Sequence, residues 1–103
     1  MTIVELFAQP ASWVKKFDAK GPDDYTRAPA AADAVCWCLR GACMRLYTDV
    51  EGAEGDRIAA AVKKMFPERF THDTTNGDVM VNFNDHRLTV REDVIAVARE
   101  ANV

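Results

Sequence analysis

The stretch VCWCLRGAC, residues 35–43, governs how the rest of the chain is interpreted. It holds all three cysteines, one of the two tryptophans and a glycine within an apolar run. The apolar positions recur with helical spacing, and Pro29 followed by several alanines favours the start of a helix. We therefore predict a long helix from about Pro29 to Tyr47 that is apolar over most of its circumference and lies at the centre of the fold.

Gly41 lies in the interior of this predicted helix. Glycine costs about 1 kcal/mol at such a position relative to alanine. Its presence predicts that a neighbouring backbone or a large ring packs against it, and Trp37, one turn earlier, is the local candidate for that ring.

Capping and turn signals define the N-terminal part. Thr2 with Glu5 forms a capping box that predicts a short first helix, which Pro10 ends or restarts. A helical turn after Pro10 would bring Trp13 and Phe17 onto one face, because residues four apart are neighbours on a helix surface.

Similar signals divide the C-terminal half. Asp56 is predicted to cap one helix, and Thr89 with Glu92 is predicted to cap the last one. Between them, Asn76-Gly77 is the strongest short hairpin signal in the chain. The chain is thus predicted to be mainly α: four or five helices in a single domain, residues 1–103, around a buried central helix, with or without a small β-hairpin near Asn76-Gly77.

Composition excludes some classes of partner. The 103 residues include 13 Lys and Arg against 16 Asp and Glu, a formal charge of -3. No strong positive field attracts phosphates, so nucleic acid is a poor candidate partner. The N-terminus lacks a basic region followed by an apolar run, and no stretch approaches the roughly 20 apolar residues of a membrane span. We expect a cytoplasmic protein without membrane contact.

The cysteines do not form the pattern of a secreted disulfide scaffold, because three of them lie within eight positions. On a helix, Cys36 and Cys38 would point in nearly opposite directions, so neither a disulfide nor a zinc site with His72 or His86 is expected. A cysteine nucleophile would need an electropositive, accessible setting, which an apolar helix does not provide. We predict reduced, packed thiols, with no metal, no cofactor and no catalytic residue.

Two short motifs carry a resemblance to a known family. They are Trp37-Cys38-Leu39-Arg40-Gly41-Ala42, and Phe83-Asn84-Asp85 followed by Thr89 and Val94. Together they resemble an uncharacterised family, a domain of unknown function found in small bacterial and phage proteins. In that family a Trp-Cys-x-x-Gly-Ala helix precedes an aromatic-Asn-Asp turn and a last helix, and the aromatic is usually tryptophan where this chain has Phe83. The resemblance implies a fold and no activity.

Asn84 and Asp85 are the best polar candidates for a site. An aromatic-Asn-Asp turn beside Trp37 and Arg40 would offer hydrogen-bonding groups around an aromatic wall. The alternative is structural, because Asn and Asp commonly bond neighbouring backbone amides in turns. Arg40 either pairs with Asp85 or lies solvated on a helix face.

Trp13, with Phe17 and Tyr25, is a candidate for an exposed aromatic patch that binds another protein. The alternative for these aromatics is core packing. We predict a non-catalytic protein–protein interaction module with an unidentified protein partner, of which a phage-type modulator of a host protein is a special case.

The alternative function is a small-ligand or metal-binding domain that uses a pocket near Trp37, Asn84 and Asp85. Saturable ligand-induced changes in tryptophan fluorescence would favour it. The sequence leaves homo-oligomerisation open.

Overall fold

The computed structural model describes residues 1–71 and 75–103, which contain five α-helices and a two-stranded antiparallel sheet. The helices are α1 (Ile3–Leu6), α2 (Leu39–Tyr47), α3 (Ala53–Met65), α4 (Asn76–Asp85) and α5 (Arg91–Ala101). The strands are β1 (Ala19–Lys20) and β2 (Cys36–Trp37). The predicted mainly α architecture with a small β element is confirmed, but the sheet lies elsewhere in the chain.

The core forms where α3 packs against α4 and α5, with α2 against α4 and α1 against α5. Each helix contributes an apolar stripe, as expected of helices that cover a shared core. Phe66, just after α3, stacks on Phe83 of α4 with ring centroids 5.2 Å apart. The largest fully buried apolar side chains include Ile3, Phe7, Leu39, Ile58, Met80, Phe83, Val94 and Val97.

The predicted helix from Pro29 to Tyr47 is wrong in its first half. Residues 36–37 form β2, residues 29–35 form turns and irregular structure, and α2 begins only at Leu39. The Trp37 indole N–H donates to the Pro29 carbonyl at 3.0 Å, and the Arg45 guanidinium donates to the same carbonyl at 2.9 Å. These bonds hold the alanine-rich segment as a loop, overriding the helical preference of its alanines.

The hairpin predicted at Asn76-Gly77 is also wrong, because these residues begin α4. The Thr75 hydroxyl accepts the Asp78 amide N–H at 3.1 Å. The Glu51 carboxylate accepts the amide N–H groups of Asn76 at 3.0 Å and Gly77 at 2.9 Å. The first amides of the helix therefore have acceptors, which favours a helix start over a turn. A hairpin with its turn at Asn76-Gly77 would place His72 and Thr74 in its first strand, and both lie outside the described residues.

At the N-terminus the capping box is confirmed. The Thr2 hydroxyl accepts the Glu5 N–H at 3.1 Å, and the Glu5 carboxylate accepts the Thr2 N–H at 3.0 Å. The helical turn predicted after Pro10 is wrong beyond a short 3-10 turn, Pro10–Ser12. Trp13 is extended and forms a parallel bridge with Trp37 of β2, so it does not share a helix face with Phe17.

Two predicted helix starts are displaced by a few residues. Gly52 caps α3, which places Asp56 in the first turn instead of at the cap. Val90 is the cap of α5, and its N–H donates to the Asp93 carboxylate at 3.2 Å. Both helices still have acids in their first turns, where negative charge complements the helix dipole.

Candidate functional site

Asn84 joins three segments that the sequence separates widely. Its side chain is fully buried, and its Oδ1 accepts the Trp13 indole N–H at 2.7 Å and the Leu39 amide N–H at 3.0 Å. Its Nδ2 donates to the Val14 carbonyl at 3.1 Å and to the Asp85 Oδ1 at 3.1 Å. Two bonds accepted and two donated satisfy the amide completely. Asn84 thus fastens α4 to the start of α2 and to the extended segment after the 3-10 turn.

Trp37 packs in the interior and makes no hydrogen bond with Asn84. It is 6% exposed, and its ring lies 4.8 Å from the Arg45 guanidinium carbon. Together with its bond to the Pro29 carbonyl, this contact satisfies both the polar edge and one face of the ring. Of the two tryptophans named from the sequence, Trp13 bonds Asn84 and Trp37 holds the loop before β2.

Arg40 pairs with Asp18 and not with Asp85. Its Nε and NH2 groups donate to the two Asp18 oxygens, each at 3.0 Å, in a bidentate arrangement. Donation of these hydrogen bonds to the Asp18 carboxylate raises the pKa of the Arg40 guanidinium. Asp18 was not predicted from the sequence, because its separation of 22 positions from Arg40 leaves no local signal.

Asp85 holds a strained backbone position. Its Oδ1 accepts the Lys16 amide N–H at 2.8 Å. Lys16 has φ 74°, the left-handed region that residues with a Cβ rarely adopt. Asp85 therefore supports the chain at a point where glycine would be the ordinary choice.

An open groove of about 280 Å³ lies between the segment before β1, the start of α2 and one side of α4. We call it the Phe17 groove, and its lining includes Lys16, Phe17, Asp18, Cys38, Arg40 and Asp85. Two candidates named from the sequence, Arg40 and Asp85, thus line one surface, while Asn84 and Trp13 form the hydrogen-bonded support beside it. Phe17 is 39% exposed, which leaves part of its ring open to solvent.

Gly41 allows the two sides of the groove to meet. A Cβ at this position would lie 1.7 Å from the Asp18 carbonyl oxygen. The prediction that a neighbouring backbone packs against Gly41 is therefore confirmed, and the Trp37 ring is not the cause.

The chain matches one known protein family. The model of a family of unknown function (DUF6197) matches residues 8–102. The chain belongs to this family. The resemblance to an uncharacterised family is therefore confirmed. No curated protein and no solved structure matches the chain.

Within residues 1–71 and 75–103, no helix combines the length and apolar character needed to cross a bilayer. No three or more His, Cys, Asp and Glu side chains among the same residues are grouped so as to hold a metal ion.

Cys38 is a helix cap as well as a packed thiol. Its sulfur accepts the Gly41 N–H at 3.3 Å, and its S–H lies 3.5 Å from the Asp18 Oδ1. Burial raises the pKa of Cys38 to about 12, and burial raises the pKa of Cys43 to about 11. Both thiols are protonated at neutral pH, whereas a nucleophile needs the thiolate. The prediction that Cys36 and Cys38 point in opposite directions from one helix is wrong, since Cys36 lies in β2 and Cys38 caps α2.

The thiols are expected to differ in reactivity. Cys36 is partly exposed, while Cys38 and Cys43 are buried. Titration of the native protein with a colorimetric disulfide reagent should therefore release about one equivalent quickly, and the other two only on unfolding. Cys36→Ser should abolish the fast phase, and a fast phase that survives this substitution would contradict the assignment.

Proposed function

We propose that this chain is a non-catalytic protein-interaction module that binds one partner protein through the Phe17 groove. The observation that carries the proposal is the partly exposed Phe17 ring at a groove whose walls bear charged side chains of both signs. An aromatic anchor surrounded by polar and charged groups is the composition typical of the energetic centre of a protein interface.

The walls of the groove are held by internal bonds. Asp18 and Arg40 fix each other through two hydrogen bonds, and Asn84 fixes Asp85 beside the Trp13 segment. A surface whose side chains are already ordered loses less conformational entropy when a partner binds. This pre-organisation favours a recognition surface over a solvated loop.

The exposed aromatics support the same proposal. Tyr25 is 73% exposed, and the Lys20 ammonium lies 4.3 Å from the centroid of the Phe17 ring. Large exposed aromatics are enriched at interfaces because they bury much area at little entropic cost. Trp13, the third member of the predicted patch, is engaged with Asn84 and does not enter the proposed surface.

The small-ligand or metal alternative has less support. Trp37 and Asn84 are committed to internal bonds, which leaves only Asp85 of the three residues named for that pocket on the groove wall. The groove volume of about 280 Å³ lies just below the range of small-molecule sites, roughly 300–1,000 Å³. The raised pKa values of Cys38 and Cys43 argue against thiol catalysis.

The free cysteines and the net charge bear on where the module acts and on what it binds. Three free cysteines suit a reducing compartment, so we assign the module to the cytoplasm. The net charge of -3 disfavours nucleic acid as the partner. A phage-type modulator of a host protein would be one instance of such a module.

Phe17→Ala tests the proposal, with Leu88→Ala as the matched control. Leu88 is 53% exposed and does not line the groove, so the control removes similar apolar area elsewhere. We expect a partner captured from a native lysate, then purified, to bind Phe17→Ala at least about tenfold more weakly and Leu88→Ala with unchanged affinity. Both variants must first match the wild-type circular dichroism spectrum. Equal affinity of all three proteins for every captured partner would refute the proposal.

A further inference from the structure

We infer that Lys16 is the charged contact residue of the Phe17 groove and receives a carboxylate, from an Asp or Glu side chain, of the partner protein. The inference rests on the proposed function, because it names the chemistry of the segment that occupies the groove. It is carried by three features of Lys16: its backbone conformation, its fixed neighbours and its unpaired charge.

The backbone at Lys16 is held where lysine is disfavoured. Its φ of 74° is compatible with glycine, while a Cβ crowds the backbone in this region. Strained residues of this kind concentrate at sites where the surrounding structure imposes the conformation for a functional reason. A lysine here is thus a feature that folding alone does not favour.

The neighbours of Lys16 are anchored on both sides. The Lys15 ammonium donates to the His86 carbonyl at 2.7 Å, and the Asp18 carboxylate binds Arg40. The Lys16 amide itself donates to Asp85. The main chain is therefore held by α4 and α2, while the Lys16 side chain projects at the groove without being drawn into these bonds.

Among the described residues that line the groove, Lys16 is also the cation without a charged partner. Within residues 1–71 and 75–103 its ammonium has no hydrogen-bond or ion-pair partner. Three other cations at or beside the groove have carboxylate partners: Arg40 with Asp18, Arg27 with Asp23 and Asp33, and Lys20 with Asp24.

Both described acids that line the groove with Lys16 are already engaged, and Asp18 accepts two hydrogen bonds from Arg40. The Asp85 carboxylate accepts two N–H donors and is partly buried. An exposed, unneutralised positive charge beside the Phe17 ring is complementary to a partner segment with a carboxylate next to an apolar side chain.

A random dodecapeptide library displayed on phage provides the probe. Selection on the wild-type protein, with elution by excess soluble protein, should enrich peptides that combine Asp or Glu with a large apolar residue. Synthetic copies should bind Lys16→Glu at least about tenfold more weakly than wild type. Lys63→Glu is the matched control, because Lys63 is exposed on α3 and does not line the groove, and it should bind the peptides as wild type does.

Lys16→Gly separates a binding role from a structural one. Glycine adopts the left-handed region freely, so the thermal midpoint of this variant should equal or exceed that of wild type. Peptide affinity should nevertheless fall. A structural lysine would not produce this opposition of stability and affinity.

The outcomes distinguish this inference from the proposed function. Peptides that require Phe17 but show no acidic preference, or that bind Lys16→Glu normally, would overturn the inference and leave the interaction module standing. If no enriched peptide loses affinity with Phe17→Ala, the groove is not a peptide-binding surface, and both statements fail.

Discussion

Gly41→Ala is expected to lower the free energy of unfolding by about 3 kcal/mol or more. The new Cβ would lie 1.7 Å from the Asp18 carbonyl oxygen, a backbone atom that cannot move by rotating a side chain. The Arg40–Asp18 pair opposes displacement of this segment, and Ala19 is paired with Trp37 immediately after it. Urea denaturation followed by circular dichroism measures the loss directly.

Gly77→Ala is the matched control for this substitution. Gly77 also lies near the start of a helix, but the nearest atom to its Cβ would be the Arg40 Cδ at 3.4 Å, in an ordinary side-chain contact. Its stability should stay within about 1 kcal/mol of wild type, since alanine is the better helix former. Equal losses in the two variants would show that close backbone approach is not the reason for Gly41.

Asn84→Asp is expected to cost about 3 kcal/mol at neutral pH while conserving the shape of the side chain. A carboxylate oxygen would replace the NH2 group that donates to the Val14 carbonyl and the Asp85 carboxylate. The substitution therefore turns two buried attractions into repulsions. Urea denaturation at neutral pH gives the size of the effect.

The pH dependence of the destabilisation by Asn84→Asp shows whether the introduced charge causes it. Burial and the Asp85 charge would raise the pKa of the introduced carboxyl in the folded state, so its destabilisation grows as pH rises above its unfolded pKa of about 4. The deficit relative to wild type should accordingly shrink towards pH 4. Gln9→Glu makes the same amide-to-carboxyl change at an exposed position and should be close to neutral throughout. A deficit for Asn84→Asp that is independent of pH would contradict this account.

Features with local causes were predicted well from the sequence. The Thr2–Glu5 capping box depends on atoms three residues apart, and it forms as expected. Gly41 predicted that a backbone or a large ring packs against it, because glycine inside the predicted helix needs a compensating reason, and the neighbour is the Asp18 backbone. The family resemblance likewise depended on contiguous motifs around Trp37 and Asn84.

Features with distant causes were missed. The alanine-rich segment after Pro29 has strong helical propensity, but Trp37 and Arg45 bond its carbonyls and hold it as a loop. Asn76-Gly77 is compatible with either a hairpin or a helix start, and Glu51, 25 residues earlier, decides between them. Such contacts have no periodicity that a sequence pattern could reveal.

Only part of the candidate site was predicted from the sequence, because some of its residues act through distant contacts. Arg40, Asn84 and Asp85 were named because they stand in compact motifs, whereas Lys16 and Asp18 lie in a polar stretch without a distinctive spacing. Their importance arises from bonds to residues 69 and 22 positions away. Only the tertiary structure brings the two halves of the groove together.

Because Asn84 fastens Trp13 and α2 to α4, binding of a partner at the Phe17 groove would be coupled to global stability. The groove walls come from three distant parts of the chain, so no single segment can present the surface by itself. A partner that contacts Lys16, Arg40 and Asp85 together would bind the native chain and not the unfolded one. Occupancy would then stabilise the whole fold by RT ln(1 + [L]/Kd). A binding partner should therefore raise the thermal midpoint of this chain even where it does not change the circular dichroism spectrum.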